Sequence, residues 1–267
     1  MKDFSFSEII DIILKNEGSA FFYTPLIYKK AKSYLFYKPV CRIKITENTN
    51  INEQFYKVDE EIKKYNGYFL LNYELGYLFE NRFKHNCKKY YDYGEFLFFD
   101  NSNIFEFDTN KIKHDLHFPN KKIQPVKNIK FNTSKAEYIE SINKIKNYIL
   151  IGDTYQVNYT IKAFFDVNIS LELLIGSMIF MQSAKYIAII NNGDNIIISV
   201  SPELFFKTKK NKIIVAPMKG TINRGINIEE DRLKKVLLIN SEKEKAENLM
   251  IVDLMRNDIG KFADVGS

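Results

Sequence analysis

The chain has 267 residues, of which 45% are hydrophobic and 27% are charged. That length allows one large domain or two small ones, and the balance is typical of a folded globular protein rather than a disordered one. The formal net charge is +6, but lysine and arginine are spread along most of the chain. We recognise no concentrated basic stripe and no nucleic-acid-binding module, so we expect no nucleic-acid partner.

Cysteine and histidine usage argues against a metal site built from these residues. Cys41 and Cys87 form neither a short ligand pair nor a disulfide framework, and the three histidines lack the spacing of a helical zinc site. No apolar run approaches the length that spans a membrane. The N-terminal pattern favours an amphipathic helix over a secretory signal. We therefore expect a cytoplasmic protein with no membrane partner.

The first part of the chain predicts a helix, several short strands and a second helix. Residues 1–18 place apolar side chains at helical intervals, interrupted by acidic residues. A second helix is predicted over Ile51–Tyr65. Apolar, aromatic-rich runs predict strands over Ala20–Tyr23, Ser33–Phe36, Cys41–Ile45, Tyr68–Tyr73, Glu95–Phe99 and Asn103–Phe107.

Beyond residue 131 the pattern becomes helical again. Thr133 or Ser134 can cap a helix that Gly152 ends. The β-branched and aromatic run Thr154–Val167 predicts a strand, and Ser170–Gln182 predicts a further helix.

Two predicted hairpins and two helices complete the chain. The first hairpin turns at Asn192-Gly193, a favoured two-residue turn, and the helices divide near Ser241. We expect an α+β fold with mainly antiparallel sheets packed with helices. We divide it into an N-terminal region, residues 1–130, and a catalytic region, residues 131–267. The hairpin strands are predicted over Tyr186–Ile190, Asn195–Val200, Leu204–Thr208 and Lys212–Ala216.

Lys219 is a candidate nucleophile because it follows a predicted strand between Pro217 and Gly220, two residues that restrict the backbone or shape a turn. A lysine attacks only when its amine is uncharged, which burial or a neighbouring cation favours. Local sequence alone favours an ordinary solvated lysine on a turn, since such lysines are abundant.

Two acidic residues open the last helix and are candidate metal ligands. Glu244 and Glu247 are three apart, so they lie on one helical face where their oxygens can meet Mg²⁺. Ser241 can cap the helix, with Glu244 completing a capping box. The simpler interpretation is a solvated first turn, with ion pairs to Lys243 and Lys245.

Other acidic residues carry weaker signals by themselves. Glu203 follows a predicted strand and can serve as an acid or base, although a surface turn explains it equally well. Asp253 and Arg256 can pair across one helical turn, which favours a structural role.

Four blocks stand in order along the second half of the chain: Gly152–Asn158, Ser201–Phe205, Pro217–Thr221 with Arg224-Gly225, and Ala246–Asp258. Together they resemble the chorismate-binding family, which includes anthranilate, aminodeoxychorismate, isochorismate and salicylate synthases. The first half is similar more loosely, mainly through Tyr73–Tyr77. The resemblance implies a two-sheet α+β fold and Mg²⁺-dependent chemistry on chorismate.

By position, the resemblance implies roles for five residues besides Lys219 and Glu203. Glu247 is similar to the ligand of the Mg²⁺ that engages the substrate carboxylate, and Glu244 to its neighbour. Gly220 and Thr221 match a substrate-contacting segment. Gln156, which we place with the substrate-binding residues, stands where members that add water at carbon 2 carry a lysine.

At position 219 the chain resembles component I of the aminodeoxychorismate synthases, which carry lysine there. Anthranilate synthases usually carry alanine at this position. The resemblance implies that the Lys219 amine attacks carbon 2, the carbon 4 hydroxyl leaves, ammonia enters carbon 4 and the lysine is expelled. Glu203 matches the position of a general acid or base for the departing hydroxyl. It also implies a glutamine amidotransferase that supplies the ammonia.

Members of this family continue beyond the position of Ser267, into a segment that includes a second pair of metal-binding glutamates. We therefore expect this chain to lack the C-terminal part of the fold and to be inactive alone. The alternatives are component I of anthranilate synthase, or a non-catalytic fragment that binds the amidotransferase.

Overall fold

The computed structural model describes residues 4–80, 82, 92–116, 126–182 and 184–267. The predictions about His85, Cys87 and His117 fall outside these residues. The helices are α1 (Phe6–Lys15), α2 (Ile51–Glu61), α3 (Gly76–Phe79), α4 (Lys135–Leu150), α5 (Leu171–Met181), α6 (Ile228–Asn240) and α7 (Glu242–Gly260). The strands are β1 (Ala20–Tyr23), β2 (Lys32–Phe36), β3 (Cys41–Thr46), β4 (Asn66–Leu71), β5 (Asp92–Phe99), β6 (Ile104–Asp108), β7 (Val126–Phe131), β8 (Ala163–Val167), β9 (Tyr186–Asn191), β10 (Ile196–Ser201), β11 (Leu204–Lys209) and β12 (Lys212–Ala216).

The N-terminal helix illustrates how sequence sets local structure in this chain. Ser5 caps α1 by accepting a hydrogen bond from the Glu8 N–H, and Glu8 completes a capping box. The apolar side chains recur three or four residues apart, so they share one face, and four of them are buried. These are Phe6, Ile9, Ile10 and Ile13.

A five-stranded antiparallel sheet in the order β10-β9-β1-β2-β6 joins the two halves of the sequence. The strand β9 pairs with β1 through contacts that include Phe21 opposite Ile189. A second sheet has the order β3-β5-β4, and β7–β8 and β11–β12 form separate two-stranded sheets. All of these pairings are antiparallel, which confirms the predicted α+β class.

The largest hydrophobic core lies between α1, α5 and the five-stranded sheet. Phe6 and Ile10 of α1 are buried there with Ile175 of α5 and with Leu35 and Ile189 of the sheet. Because β9, β10 and α5 belong to this core, it crosses the sequence position of the predicted domain boundary. The division at residue 130 stays a prediction.

The three-stranded sheet packs on the five-stranded one through apolar and polar contacts. Tyr68 and Leu97 are buried against Ala20 and Ile190, and the Tyr68 hydroxyl donates to the Gly18 carbonyl at 3.2 Å. These contacts attach the second sheet near the start of β1.

One predicted strand is too long. The run Thr154–Val167 forms a strand only over Ala163–Val167, where it pairs with β7. Residues 154–162 have no regular structure and are mostly exposed. A strand requires a hydrogen-bonded neighbour as well as β-branched residues, and β7 supplies one only for the last five positions.

Burial differs sharply between parts of the chain. Four of the ten residues of α1 are buried, whereas α4, α6 and α7 contain no buried residue. Every position of β8 is exposed. None of the described helices combines the length and apolar character needed to cross a bilayer.

We expect Ile10→Ala to lower the free energy of unfolding by about 2–5 kcal/mol, because it removes a fully buried side chain from the main core. Chemical denaturation followed by circular dichroism measures the change. Tyr56→Ala on α2 is the control, since that exposed side chain should contribute less than about 0.5 kcal/mol. Equal effects of the two changes would contradict the assignment of the core.

Candidate active site

Glu203 links the turn after β10 to the segment after β12. The Glu203 N–H donates to the Ser201 hydroxyl at 3.2 Å, which holds the turn between β10 and β11. The Glu203 Oε1 atom then accepts a hydrogen bond from the Met218 N–H at 3.0 Å. This contact places a carboxylate beside the backbone that leads into Lys219.

Glu244 reaches the same segment from α7. Ser241 caps α7 by accepting a hydrogen bond from the Glu244 N–H at 3.4 Å. The predicted capping box is wrong, because the Ser241 N–H bonds instead to the Leu238 carbonyl. The Glu244 carboxylate lies against Gly220, where an added β-carbon would stand 2.6 Å from Glu244 Oε2. Gly220 also has a φ of +80°, which favours glycine.

Residues 217–221, which we call the lysine loop, are therefore contacted by two carboxylates from different elements. Lys219 lies in sequence between Met218, which bonds to Glu203, and Gly220, which touches Glu244. Lys219 is half-buried and Thr221 is exposed.

A cleft of about 330 Å³ lies beside the lysine loop. Glu203 and Pro217 form part of its lining, and Ile251 and Met255 of α7 form another part. Helical spacing puts Glu244 and Glu247 on the α7 face that carries these two apolar residues. The structure thus brings Glu203 and Glu244 to the lysine loop, and helical spacing places Glu247 on the same face of α7 as Glu244.

Glu247 forms an ion pair at the surface of α7. Its Oε1 atom lies 3.8 Å from Lys243 Nζ, in an ion pair whose side chains are 77% exposed for lysine and 44% for glutamate. Water screens such a pair, so it leaves the Glu247 carboxylate available to another cation.

No polar contact between residues that the structure describes links Gln156 to this cluster. It belongs to the irregular segment 154–162 and is exposed. The Thr154 hydroxyl donates to the Gln156 carbonyl at 3.1 Å. No hydrogen bond or ion pair between described residues joins the Gln156 side chain to Glu203, Lys219 or Glu244.

The two α7 carboxylates match the ligands that a protein commonly supplies to a bound Mg²⁺ ion. Within the described ranges, no three or more His, Cys, Asp and Glu residues form a group able to hold a metal ion. Mg²⁺ commonly binds one or two carboxylates and completes its shell with water and substrate oxygens. Glu244 and Glu247, on one helical face beside the cleft, meet that requirement.

Asp231 is a structural residue of the site region that sequence reasoning missed. It accepts from Arg224 at 2.5 and 2.7 Å and from the Gly225 N–H at 3.0 Å. The Arg224 guanidinium, aided by this backbone donor, lowers the pKa of Asp231 to about 2. An Asp in the first turn of a helix that Asn227 caps, shortly after Arg-Gly, was the available signal.

Comparison with known proteins assigns the chain to a family. The family described as chorismate binding enzyme matches residues 20–267. This chain belongs to the chorismate-binding enzyme family. The match covers most of the sequence, including the lysine loop and α7, and it confirms the resemblance drawn from the four blocks.

Two of the relatives are named for different activities. Aminodeoxychorismate synthase component 1 of Klebsiella aerogenes is 38% identical over 136 residues, which are 51% of this chain and 30% of that protein. Anthranilate synthase alpha subunit 1, chloroplastic, of Arabidopsis thaliana is 37% identical over 144 residues, which are 51% of this chain and 23% of that protein. The chain therefore aligns with less than a third of either relative.

A solved structure shares the fold. The anthranilate synthase component I from Streptococcus pneumoniae TIGR4 superposes with a TM-score of 0.66 at 19% sequence identity. The superposition covers 88% of this chain and 62% of that chain. It confirms that the antiparallel sheets and helices described above are those of the family fold.

We expect Gly220→Ala to displace the Glu244 carboxylate and to destabilise the folded chain by about 1–2 kcal/mol through its positive φ. The same change in a Glu244→Ala background should cost less, because the clash with Oε2 is then absent. A double-mutant cycle measured by thermal denaturation isolates this difference. Equal costs in both backgrounds would show that the two residues do not touch.

We expect the contribution of Asp231 to stability to depend on pH in a defined window. Because its folded pKa is about 2, below the ordinary value of 3.8, the contribution is present above about pH 4. It is lost as the pH falls toward 2. The Tm difference between the unchanged chain and Asp231→Asn should therefore shrink from pH 5 to pH 2.5.

Asp59→Asn on α2 is the matched control, since Asp59 is exposed and remote in sequence from Arg224. Its Tm difference from the unchanged chain should stay small at every pH. A difference for Asp231→Asn that does not vary with pH would contradict the ion-pair assignment.

Proposed function

We propose that this chain carries the aminating part of component I of a 4-amino-4-deoxychorismate synthase, acting on chorismate. The observation that supports this proposal most is the placement of the lysine loop between Glu203 and Glu244 beside the cleft. The two carboxylates hold the backbone on either side of Lys219, and a cation held by the α7 carboxylates would favour the uncharged amine that a covalent amination requires. The activity in the name of the Klebsiella aerogenes relative agrees with this choice.

The proposed reaction proceeds by two displacements that share a covalent intermediate. The uncharged Lys219 amine forms a bond to carbon 2 of chorismate, the ring double bonds shift, and the carbon 4 hydroxyl leaves as water. Ammonia then forms a bond to carbon 4, the electron shift reverses, and the Lys219 amine is released. A covalent intermediate divides one difficult displacement into two easier steps.

Glu203 is the proposed acid and base. Its carboxyl group transfers a proton to the departing hydroxyl, and its carboxylate then accepts a proton from the entering ammonia. The Met218 N–H, 3.0 Å from Glu203 Oε1, orients the carboxyl group toward the lysine loop. Proton transfer by a positioned side chain commonly contributes about 10²–10⁴-fold to a rate.

We propose that Glu247, with Glu244 beside it, supplies the protein ligands of a Mg²⁺ site. When bound, Mg²⁺ would neutralise charge on the substrate carboxylate and hold it in place. Gly220 and Thr221 are proposed to contact chorismate from the lysine loop, and Gln156 to contact it from the segment before β8. The absence of a lysine at position 156 argues against adding water at carbon 2.

The proposed function also requires a source of ammonia. The name of the Klebsiella aerogenes relative, component 1, implies a companion subunit. We propose that this companion is a glutamine amidotransferase that supplies ammonia, in para-aminobenzoate and folate synthesis in the cytoplasm.

Anthranilate synthesis is the second candidate, because the Arabidopsis thaliana anthranilate synthase subunit is almost as similar, at 37% identity. The two reactions differ in the carbon that receives nitrogen and in the product. Anthranilate is aromatic and fluorescent and forms without a separate lyase. Lys219 favours amination at carbon 4, since anthranilate synthases usually carry alanine at the matching position.

We expect Lys219→Ala to reduce formation of 4-amino-4-deoxychorismate by about 10³-fold or more, because loss of a covalent nucleophile can cost up to about 10⁶-fold. The assay contains chorismate, ammonium and Mg²⁺, with product identified by mass spectrometry. It uses the chain joined to the part of the Klebsiella aerogenes relative that follows the aligned segment.

Lys212→Ala, in the exposed start of β12, is the control and should leave the rate unchanged. Amination at carbon 4 that survives Lys219→Ala would remove the nucleophile from the proposal. A fluorescent product formed by the unchanged protein would favour the anthranilate alternative.

A further inference from the structure

A small polar cavity lies between the three-stranded sheet and the turn of the β9–β10 hairpin. Its volume is about 70 Å³, which is enough for a small ion together with water molecules. None of the described residues lines both this cavity and the cleft beside the lysine loop, so it is a separate feature of the molecule. The polar residues that line it are Lys44, Asn72, Asp92, Glu95, Asn192 and Asp194.

Glu95 of β5 forms the buried end of this cavity. Lys44 of β3 and Leu70 of β4 stand directly opposite Glu95 in the sheet, so the three side chains share one face. That face lines the cavity, across from Asp194 and Ile197 of the hairpin. Only 8% of the Glu95 side chain is exposed. A carboxylate is therefore directed into the cavity from a position that bulk water hardly reaches.

The neighbouring cations compensate the Glu95 charge incompletely. Arg42 Nε lies 3.3 Å from Glu95 Oε2, yet this oxygen accepts no hydrogen bond from any described residue. The Arg42 guanidinium also pairs with Glu17, and Lys44 Nζ lies 3.8 Å from Asp92 Oδ2. Burial raises the pKa of Glu95, although Arg42 and Lys44 act in the opposite direction. Because a buried charge is costly without a partner, this position favours a further positive charge.

A β-bulge brings a second carboxylate to the cavity. The register of β5 against β3 shifts between Asp92 and Gly94, so Tyr93 is an extra residue. In a regular strand, residues three apart point to opposite faces, yet Asp92 and Glu95 both line the cavity. Asn72 holds the bulge, since its N–H donates to the Tyr93 carbonyl at 2.9 Å and its side-chain amide donates to the Asp92 carbonyl at 2.8 Å.

The charges around the cavity favour a monovalent cation. Asp194, exposed in the hairpin turn, adds a third carboxylate, so the described lining carries three negative charges and the single positive charge of Lys44. These carboxylates do not enclose a divalent ion, because the part of the chain that the structure describes has no group of three acidic, histidine or cysteine residues able to hold a metal. Mg²⁺ requires near-octahedral ligands at short distances, whereas a larger monovalent ion accepts looser coordination that includes water.

We propose that this cavity binds one monovalent cation of the size of potassium or ammonium, held by the Glu95 carboxylate together with Asp92, Asp194 and water. The ion would join the three-stranded sheet to the hairpin of the five-stranded sheet. A ligand that binds only the folded chain raises its stability, so occupation of the cavity is measurable as a rise in Tm.

The test compares the Tm of this chain in potassium, ammonium, sodium and tetramethylammonium chloride at equal ionic strength and neutral pH. We expect potassium or ammonium to raise the Tm by at least about 2 °C relative to tetramethylammonium, which is too large for the site. The salt with the larger effect identifies the preferred ion. Equal melting temperatures in all four salts, or an effect of sodium as large as that of potassium, would overturn the proposal.

Substitutions locate the site. Glu95→Gln and Asp194→Asn should each abolish the salt-specific rise in Tm, and Asp194→Asn keeps the test decisive if the buried change prevents folding, because Asp194 is exposed. Asp59→Asn on α2 is the matched control and should keep the full rise, since Asp59 does not line the cavity. A rise that persists in Asp194→Asn and in Glu95→Gln would overturn the proposal. None of these measurements involves chorismate or Lys219, so their outcome is independent of the proposed function.

Discussion

The pairing of β1 with β9 is the interaction on which the rest of the structure depends. It aligns residues about 168 positions apart in the sequence, such as Phe21 and Ile189, inside the main core. Strand β9 continues through its hairpin into β10, which ends at Ser201, two residues before Glu203. The buried sheet therefore carries the first carboxylate of the candidate site. Without this pairing, the second half of the chain would have little buried surface of its own.

The candidate site joins a residue placed by the buried sheet to a residue placed by an exposed helix. Glu203 is placed by the sheet, whereas Glu244 is placed by the first turn of α7, and the lysine loop lies between them. Each contact uses the backbone of the loop, through the Met218 N–H and the missing side chain of Gly220. These two contacts hold the loop, while α7, which supplies Glu244, contains no buried residue.

Local signals were sufficient wherever a residue acts within its own element. Ser134, Ser170 and Ser241 all cap helices as expected for their type, and Asn192-Gly193 turns the predicted hairpin. The prediction failed where a distant partner decides. The run Thr154–Val167 is strand-like throughout, but β7 pairs only with its end. Glu244 has the right spacing for a capping box, yet its carboxylate turns to Gly220, 24 residues earlier.

The sequence by itself determined the α+β class, most of the helices and strands, and the resemblance of four blocks to a family that the comparison then confirmed. These properties follow from side-chain periodicity, caps and turns, which depend on neighbours in the chain. Only the tertiary structure decided that Glu203 bonds to Met218, that Glu244 packs on Gly220, and that β1 pairs with β9. Those contacts join residues far apart in sequence, and their formation depends on how whole elements pack, which no local pattern encodes.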